Sequence, residues 1–185
     1  MNLTHWTYFL SIEQDVKNLS RYIELTSANF GCFSIENARL LMASTQDIDV
    51  LLKQVCTKLG NTSSNEAGYR AFLPTQYPNM LTTKVEIPMY DLEFTPYEDW
   101  SSNLTPVWWT ANNKVKHHRH THFADASIEN LLKSVAGLFI ANLYFYSEVE
   151  GDIGIYPGPN FFNAHTLTES INPTSHGMVP NYKLP

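Results

Sequence analysis

Lys114, Lys116, His117, His118, Arg119, His120 and His122 crowd between positions 114 and 122, a concentration that no other part of the chain approaches. Four of the seven histidines and three of the twelve lysines and arginines fall there. Lysine and arginine hold phosphate, histidine moves a proton near neutral pH, and asparagine orients either. On a helix, successive side chains turn by about 100°. Trp109, Asn113, Lys116, His117 and His120 then share one face, and Trp108, Asn112, Val115 and Arg119 the neighbouring one. Those are the parts of a metal-independent ribonuclease, in which a base deprotonates the ribose 2′-hydroxyl and cations stabilise the charge on phosphorus.

Two other readings of the stretch stay open. Basic residues at the end of a helix also suit its macrodipole and form an ordinary solvated surface. His118 and His122, four apart, could both ligate a metal with Asp125 as a third donor, although no glutamate lies between them as in the zinc proteases. Trp108 and Trp109 read first as core anchors, with base stacking as the alternative.

The elements that must position these groups are mostly helical. Apolar residues recur at three- and four-residue steps over 4–27 (Trp6, Phe9, Leu10, Val16, Leu19, Ile23), which predicts a first helix. Ser34 stands where an N-cap belongs, before a second helix that runs to Leu59 and stops at Gly60-Asn61. A shorter helix is expected over 66–72, ending before Pro74. Period-two spacing of Val85, Ile87, Met89, Leu92 and Phe94 suggests a short extended pair or an ordered loop inserted at about 82–94, any strand there being held to an edge by Pro88. Thr105-Pro106 reads as an N-cap and first helical position ahead of a helix from Trp108 to about Arg119. Asp125 is the expected cap of the next helix, over 126–148. Residues 151–185 hold five of the ten prolines and four of the eight glycines without periodicity, and an irregular tail is expected, either draped over the bundle with Tyr156, Phe161 and Phe162 as anchors or partly mobile. The fold class is thus mainly α: a bundle over 1–150 and a loop-like tail over 151–185.

Composition narrows the function classes. With 185 residues the chain suits one domain. A net charge of −6 argues against a general nucleic-acid coat, which needs a basic surface overall, but leaves room for a local basic site. Charged residues are only 16%, and so much neutral surface favours self-association. The first residues lack a basic secretory leader, and the longest apolar run, 135–141, is far below the roughly 20 residues that cross a bilayer. Cys32 and Cys56 show neither metal spacing nor a disulfide framework, and Cys56 falls in an apolar stripe. A cytoplasmic location with no membrane contact is the expectation.

The segment Trp108-Trp109-Thr110-Ala111-Asn112-Asn113-Lys114-Val115-Lys116-His117-His118-Arg119, followed by Phe123-Ala124-Asp125-Ala126 and an apolar helix, resembles a group of uncharacterised bacterial helical proteins. Glu13, Tyr22 and Ser34-Ile35-Glu36 extend the likeness over most of residues 5–147. That group in turn resembles the HEPN superfamily of helical bundles. The resemblance implies a homodimer and, as in several members, a metal-independent endoribonuclease of toxin–antitoxin or phage-defence systems, with RNA and an antitoxin-like protein as partners and no cofactor. Laid onto this chain, the superfamily's histidine falls on His117 and its polar residue on Asn113. The arginine position falls on Asn112, a departure, since asparagine carries neither charge nor a bidentate fork. The resemblance therefore implies His117 as general base or acid, Asn113 as its orienter, Lys116 and Arg119 as a phosphate-holding pair, and Lys114 and His120 as further RNA contacts. A non-catalytic interaction module of the same fold is the alternative.

Overall fold

Three polar side chains open three of the helices by the same chemistry. In the computed structural model, which describes residues 3–150, 155–174, 177–182 and 184, Ser34 accepts the Asn37 N–H (3.0 Å) at the start of α2 (Ile35–Lys58). Asn65 accepts the Gly68 N–H (3.0 Å) ahead of α3 (Glu66–Gln76), and Ser127 the Asn130 N–H (3.2 Å) ahead of α5 (Ile128–Phe145). Each bond satisfies a donor that the first helical turn leaves open. The residues before α1 (Thr4–Leu19) and α4 (Val107–His122) supply no side-chain cap; side chains from elsewhere serve instead, the Tyr146 hydroxyl accepting the Trp6 N–H (3.1 Å) and Asp99 Oδ2 the Val107 N–H (3.2 Å).

α5 is the axis of the molecule. Every residue from Ser134 to Phe145 is buried, as expected of a helix that is apolar on all sides. α2 lies along it, brought close by small residues that pair Ser44 Oγ with Ser134 Oγ at 2.8 Å. From α1, Phe9 stacks on Phe139 with ring centres 5.2 Å apart. α4 approaches at Gly137, where an added methyl would stand 3.2 Å from the Trp108 ring. Trp108 is pinned in turn by its indole N–H, which donates to the Pro96 carbonyl (2.8 Å).

The expected extended pair is present: β1 (Val85–Ile87) runs antiparallel to β2 (Leu92–Phe94), with Val85 opposite Phe94 and Ile87 opposite Leu92. The mainly helical class holds. Among the described residues no helix is long and apolar enough to cross a membrane.

Several boundaries differ from expectation, each for a tertiary reason. The first helix stops at Leu19 rather than near Ser27, because the chain reverses there to carry Leu25 into the core with no exposure. α3 does not end before Pro74 but runs through it to Gln76; burial of Tyr69 and Leu73 outweighs the one backbone bond the proline removes. Thr105 is not the cap of α4: its hydroxyl bonds Glu66 (3.0 Å) and Arg70 (2.8 Å), Pro106 takes the cap position and Val107 begins the helix. Asp125 does not cap α5 either. Ser127 does, and the loop before α2 completes that helix start, with the Ile128 N–H donating to the Cys32 carbonyl (2.9 Å). α5 gives way after Phe145 to a wider turn over Tyr146–Glu150.

The tail is the largest correction. It is not irregular throughout: β3 (Thr168–Thr174) and β4 (Gly177–Tyr182) form an antiparallel hairpin, with Thr174 opposite Gly177. Phe161 and Phe162 are the anchors expected, but Tyr156 stays 40% exposed. Tyr182 is buried instead, edge-on to Phe139 at 5.9 Å. Beneath the tail, the buried Glu13 carboxylate accepts the backbone N–H groups of Asn160, Phe161 and Phe162 at 2.9–3.1 Å. The Trp6 indole donates to the Pro157 carbonyl (2.7 Å).

Candidate functional site

α4 changes character along its length. Its first half turns Trp108, Trp109, Ala111, Asn112 and Val115 inward. After Val115 no apolar side chain remains to hold it down, and Lys116 through Thr121 are all exposed. The helix also breaks there: His118 has φ −137° and ψ 39°, outside helical values. The break redirects the last turn so that Phe123 packs edge-on against Phe33, ring centres 5.3 Å apart.

The residues expected on one face are divided between two places. Trp109, Asn113 and Lys116 line a groove of about 740 Å³, together with Asn112. His117 and His120 stand outside that lining, exposed to solvent. Arg119 leans from α4 toward α2, its guanidinium 3.5 Å from the Met42 sulfur, which places its charge at the groove rim. Lys114 points the other way, 3.6 Å from Asp125, which also meets His122 Nδ1 at 3.2 Å. Among the described residues Lys116, His117 and His120 have no hydrogen bond or ion pair, and none joins Asn113 to His117. The imidazoles gather loosely, His118 lying 6.4 Å from His117 and 6.5 Å from His120 and His122 between ring centres.

The opposite wall of the groove comes from elements that sequence reasoning did not connect to the site. α2 contributes Met42, Thr45, Gln46 and Asp49, a three- and four-residue row facing the matching row 109, 112, 113 and 116 of α4. The start of α3 contributes Asn65 and Glu66. Glu66 is fully engaged: Arg70 (3.2 Å to both oxygens), the Trp100 indole (2.9 Å) and the Thr105 hydroxyl (3.0 Å) all donate to it. Among the described residues the Asp49 carboxylate accepts only the Tyr69 hydroxyl, at 3.0 Å on Oδ1, and burial with Asp49 alongside pushes the Tyr69 phenol up, keeping it a neutral donor. In the sequence, Asp49 looks like any solvent-facing helix acid and Glu66 like a first-turn acid beside its cap, so no local signal marks either.

Asn112 is the unusual member. It is only 7% exposed, its Nδ2 reaches Asn113 Oδ1 at a long 3.5 Å, and its buried Oδ1 has no partner among the described residues. Such an unpaired acceptor is costly in a folded protein and calls for a reason. The groove is close to neutral in charge, with Glu66 offset by Arg70 and Asp49 by Lys116, whereas the exposed end of α4 beside it is cationic.

For the metal reading, no group of three or more histidine, cysteine, aspartate or glutamate side chains among the described residues is placed to hold an ion. A second concavity, about 570 Å³, lies between α1 and α2, where His5 Nδ1 bonds Asp47 Oδ1 at 2.8 Å and the other Asp47 oxygen is buried and unpaired. Burial holds the Asp47 carboxyl above the usual carboxylate range, with His5 pulling it down. Comparison of the chain with protein-family models, with curated proteins and with solved structures returns no match.

Proposed function

We propose that this chain is a HEPN-like helical protein whose α4 binds RNA through the cationic surface that begins at Lys116. The observation that carries the reading is the exposed run from Lys116 to Thr121 in an acidic protein, with Lys116, His117 and His120 unengaged by the rest of the described fold. Charges that stabilise nothing internal are available to phosphates. Lys116 and Arg119 hold the backbone beside the groove and His120 extends the contact, whereas Lys114, turned toward Asp125, lies off this surface. A homodimer that sets two α4 helices near its axis would double the surface; exposed Leu104 and Val107 at the start of α4 suit such contact. In a cleavage reaction His117 is the proton-transfer group, with Asn113 one turn before it.

One observation favours the alternative, a non-cleaving interaction module for an acidic partner such as an antitoxin-like protein. The position that carries arginine in the resembling superfamily is here a buried, neutral Asn112. Titrating fluorescent single-stranded RNA at salt between about 50 and 200 mM decides the RNA reading. Lys116→Ala and Arg119→Ala should each weaken binding and reduce the salt slope by about 1. Salt-independent or absent binding refutes it. Adding chelator and scoring cyclic-phosphate ends then separates cleavage from binding: loss of cleavage in His117→Ala supports catalysis, and uncut RNA bound by the wild type supports the module.

A further inference from the structure

The groove beside the cationic surface presents the wrong chemistry for phosphate and the right chemistry for a base. A phosphate inside it would meet the Asp49 carboxylate. A neutral planar group would not be repelled, and about 740 Å³ is ample for a nucleoside. The inner wall is rich in acceptors. Asn112 lines the groove with an enclosed Oδ1 that has no partner among the described residues and is reached by a ligand only when the amide turns outward, and Asp49 keeps one carboxylate oxygen beyond the bond it accepts from Tyr69. Trp109, 6% exposed, supplies an aromatic wall. A ligand that completes this groove must therefore bring N–H donors, and a carboxylate, whose two oxygens share one carbon, is best met by two of them side by side.

We propose that the groove between α2 and α4 is a guanine pocket, reading one unstacked base of a single-stranded RNA whose phosphates lie on Lys116 and Arg119. Among the four bases, guanine alone shows two adjacent N–H donors, N1–H and the 2-amino group, on its Watson–Crick edge. Single-stranded RNA leaves that edge free to be read. Adenine and cytosine offer one amino group beside a ring acceptor, which would face Asp49 lone pair to lone pair. An arginine side chain from a protein also brings paired donors. It carries a full charge, however, and this groove has Lys116 on its wall and its second carboxylate already neutralised by Arg70. The pocket rests on the RNA reading for its phosphate contacts but not for its base selectivity.

The test uses the whole chain and two sets of probes. The first is eight-nucleotide RNAs, all adenine or with a single central guanine, measured by fluorescence anisotropy. The second is guanosine, adenosine and N-acetylarginine amide, which carry no phosphate, measured by saturation-transfer NMR. The guanine-containing oligomer should bind at least about tenfold tighter, the scale of hydrogen bonds to a charged acceptor. Guanosine should give transfer where adenosine does not. Asp49→Asn turns one acceptor into a donor while leaving an oxygen for Tyr69, and should erase the preference without changing the salt slope. Asn112→Ala should lose most of the guanine preference while keeping or raising the melting temperature, because it deletes an unpaired buried acceptor; a purely structural Asn112 would lower that temperature and leave selectivity alone. Salt-dependent RNA binding with equal affinity for both oligomers overturns the pocket and leaves the RNA surface standing. Guanosine in the groove without RNA binding by Lys116 and Arg119 supports the pocket and removes the RNA reading. Arginine amide competing where guanosine fails overturns the pocket in favour of a protein partner.

Discussion

Replacing Glu13 with alanine removes a side chain of α1 that, together with the Trp6 indole on the Pro157 carbonyl, holds the tail through its backbone. Its carboxylate is 3% exposed and accepts from Phe161 N–H (2.9 Å) and Phe162 N–H (3.0 Å) on one oxygen, and from Asn160 N–H (3.1 and 3.0 Å) on both. Asn160 is exposed, so its N–H can turn to water at little cost. Phe161 and Phe162 are buried, and each N–H left unpaired costs about 1–3 kcal/mol. Deleting the carboxylate also relieves the cost of keeping a charge out of water, which offsets part of that loss. We expect a net destabilisation of about 3 kcal/mol, or a melting point lower by about 6–12 °C for a chain of this size. Glu13→Gln keeps one acceptor oxygen and should lose about half as much. Urea unfolding measures the total. Hydrogen exchange at Phe161 and Phe162 locates it, since those two amides should lose protection before the α5 amides do. A loss below about 1 kcal/mol with both amides still protected would show that aromatic burial alone seats the tail.

Other substitutions probe the packing and the buried titratable groups. Gly137→Ala gains about 1 kcal/mol of helix propensity but forces a methyl to 3.2 Å from the Trp108 ring, which is pinned to Pro96; overpacking of about 1–3 kcal/mol should win, read as a lower urea midpoint. Asp47 has its carboxyl raised by burial, so the stability it lends is full below the unfolded value near 3.9 and fades as pH rises through the folded one. Asp47→Asn, always neutral and still an acceptor for His5, should therefore gain melting temperature relative to the parent between pH 4 and pH 7; a difference that is flat or falls with pH counts against the burial argument. Of the two thiols, exposed Cys32 should react with a disulfide reagent at once, while Cys56, fully buried and pushed up to about 11, should wait for unfolding. Two fast thiols in native protein would contradict the packing of α2 on the core.

Periodicity alone carried the helices that own a broad apolar stripe. The stripe of α2 and its Ser34 cap, and the unbroken apolar run of α5, are local patterns that any packing partner would satisfy. The Val85–Phe94 pair was likewise legible, because alternation and a turn sit within a few residues of each other. Where two adjacent segments compete for one job, local pattern cannot choose. Asp125 and Ser127 are both good caps, and the choice fell to Ser127 because Cys32 from the distant loop meets the next N–H. Pro74 reads as a stop until the burial of Leu73 is known. The tail hairpin carries prolines at 173 and 180 and little alternation, so no local pattern announces its pairing, and the segment before it is held by Glu13, nearly 150 positions earlier.

The candidate site divides along the same line. The basic histidine stretch was visible because charge and residue type are properties of the chain itself. Which of its members face a groove was decided by where α2 and the start of α3 lie against α4, and the groove's acceptors Asp49 and Asn112 acquire meaning only in that packing. Side-chain chemistry is written residue by residue. Accessibility, pairing and the absence of a partner belong to the packed arrangement, because each depends on atoms far away in sequence that only the folded core brings near.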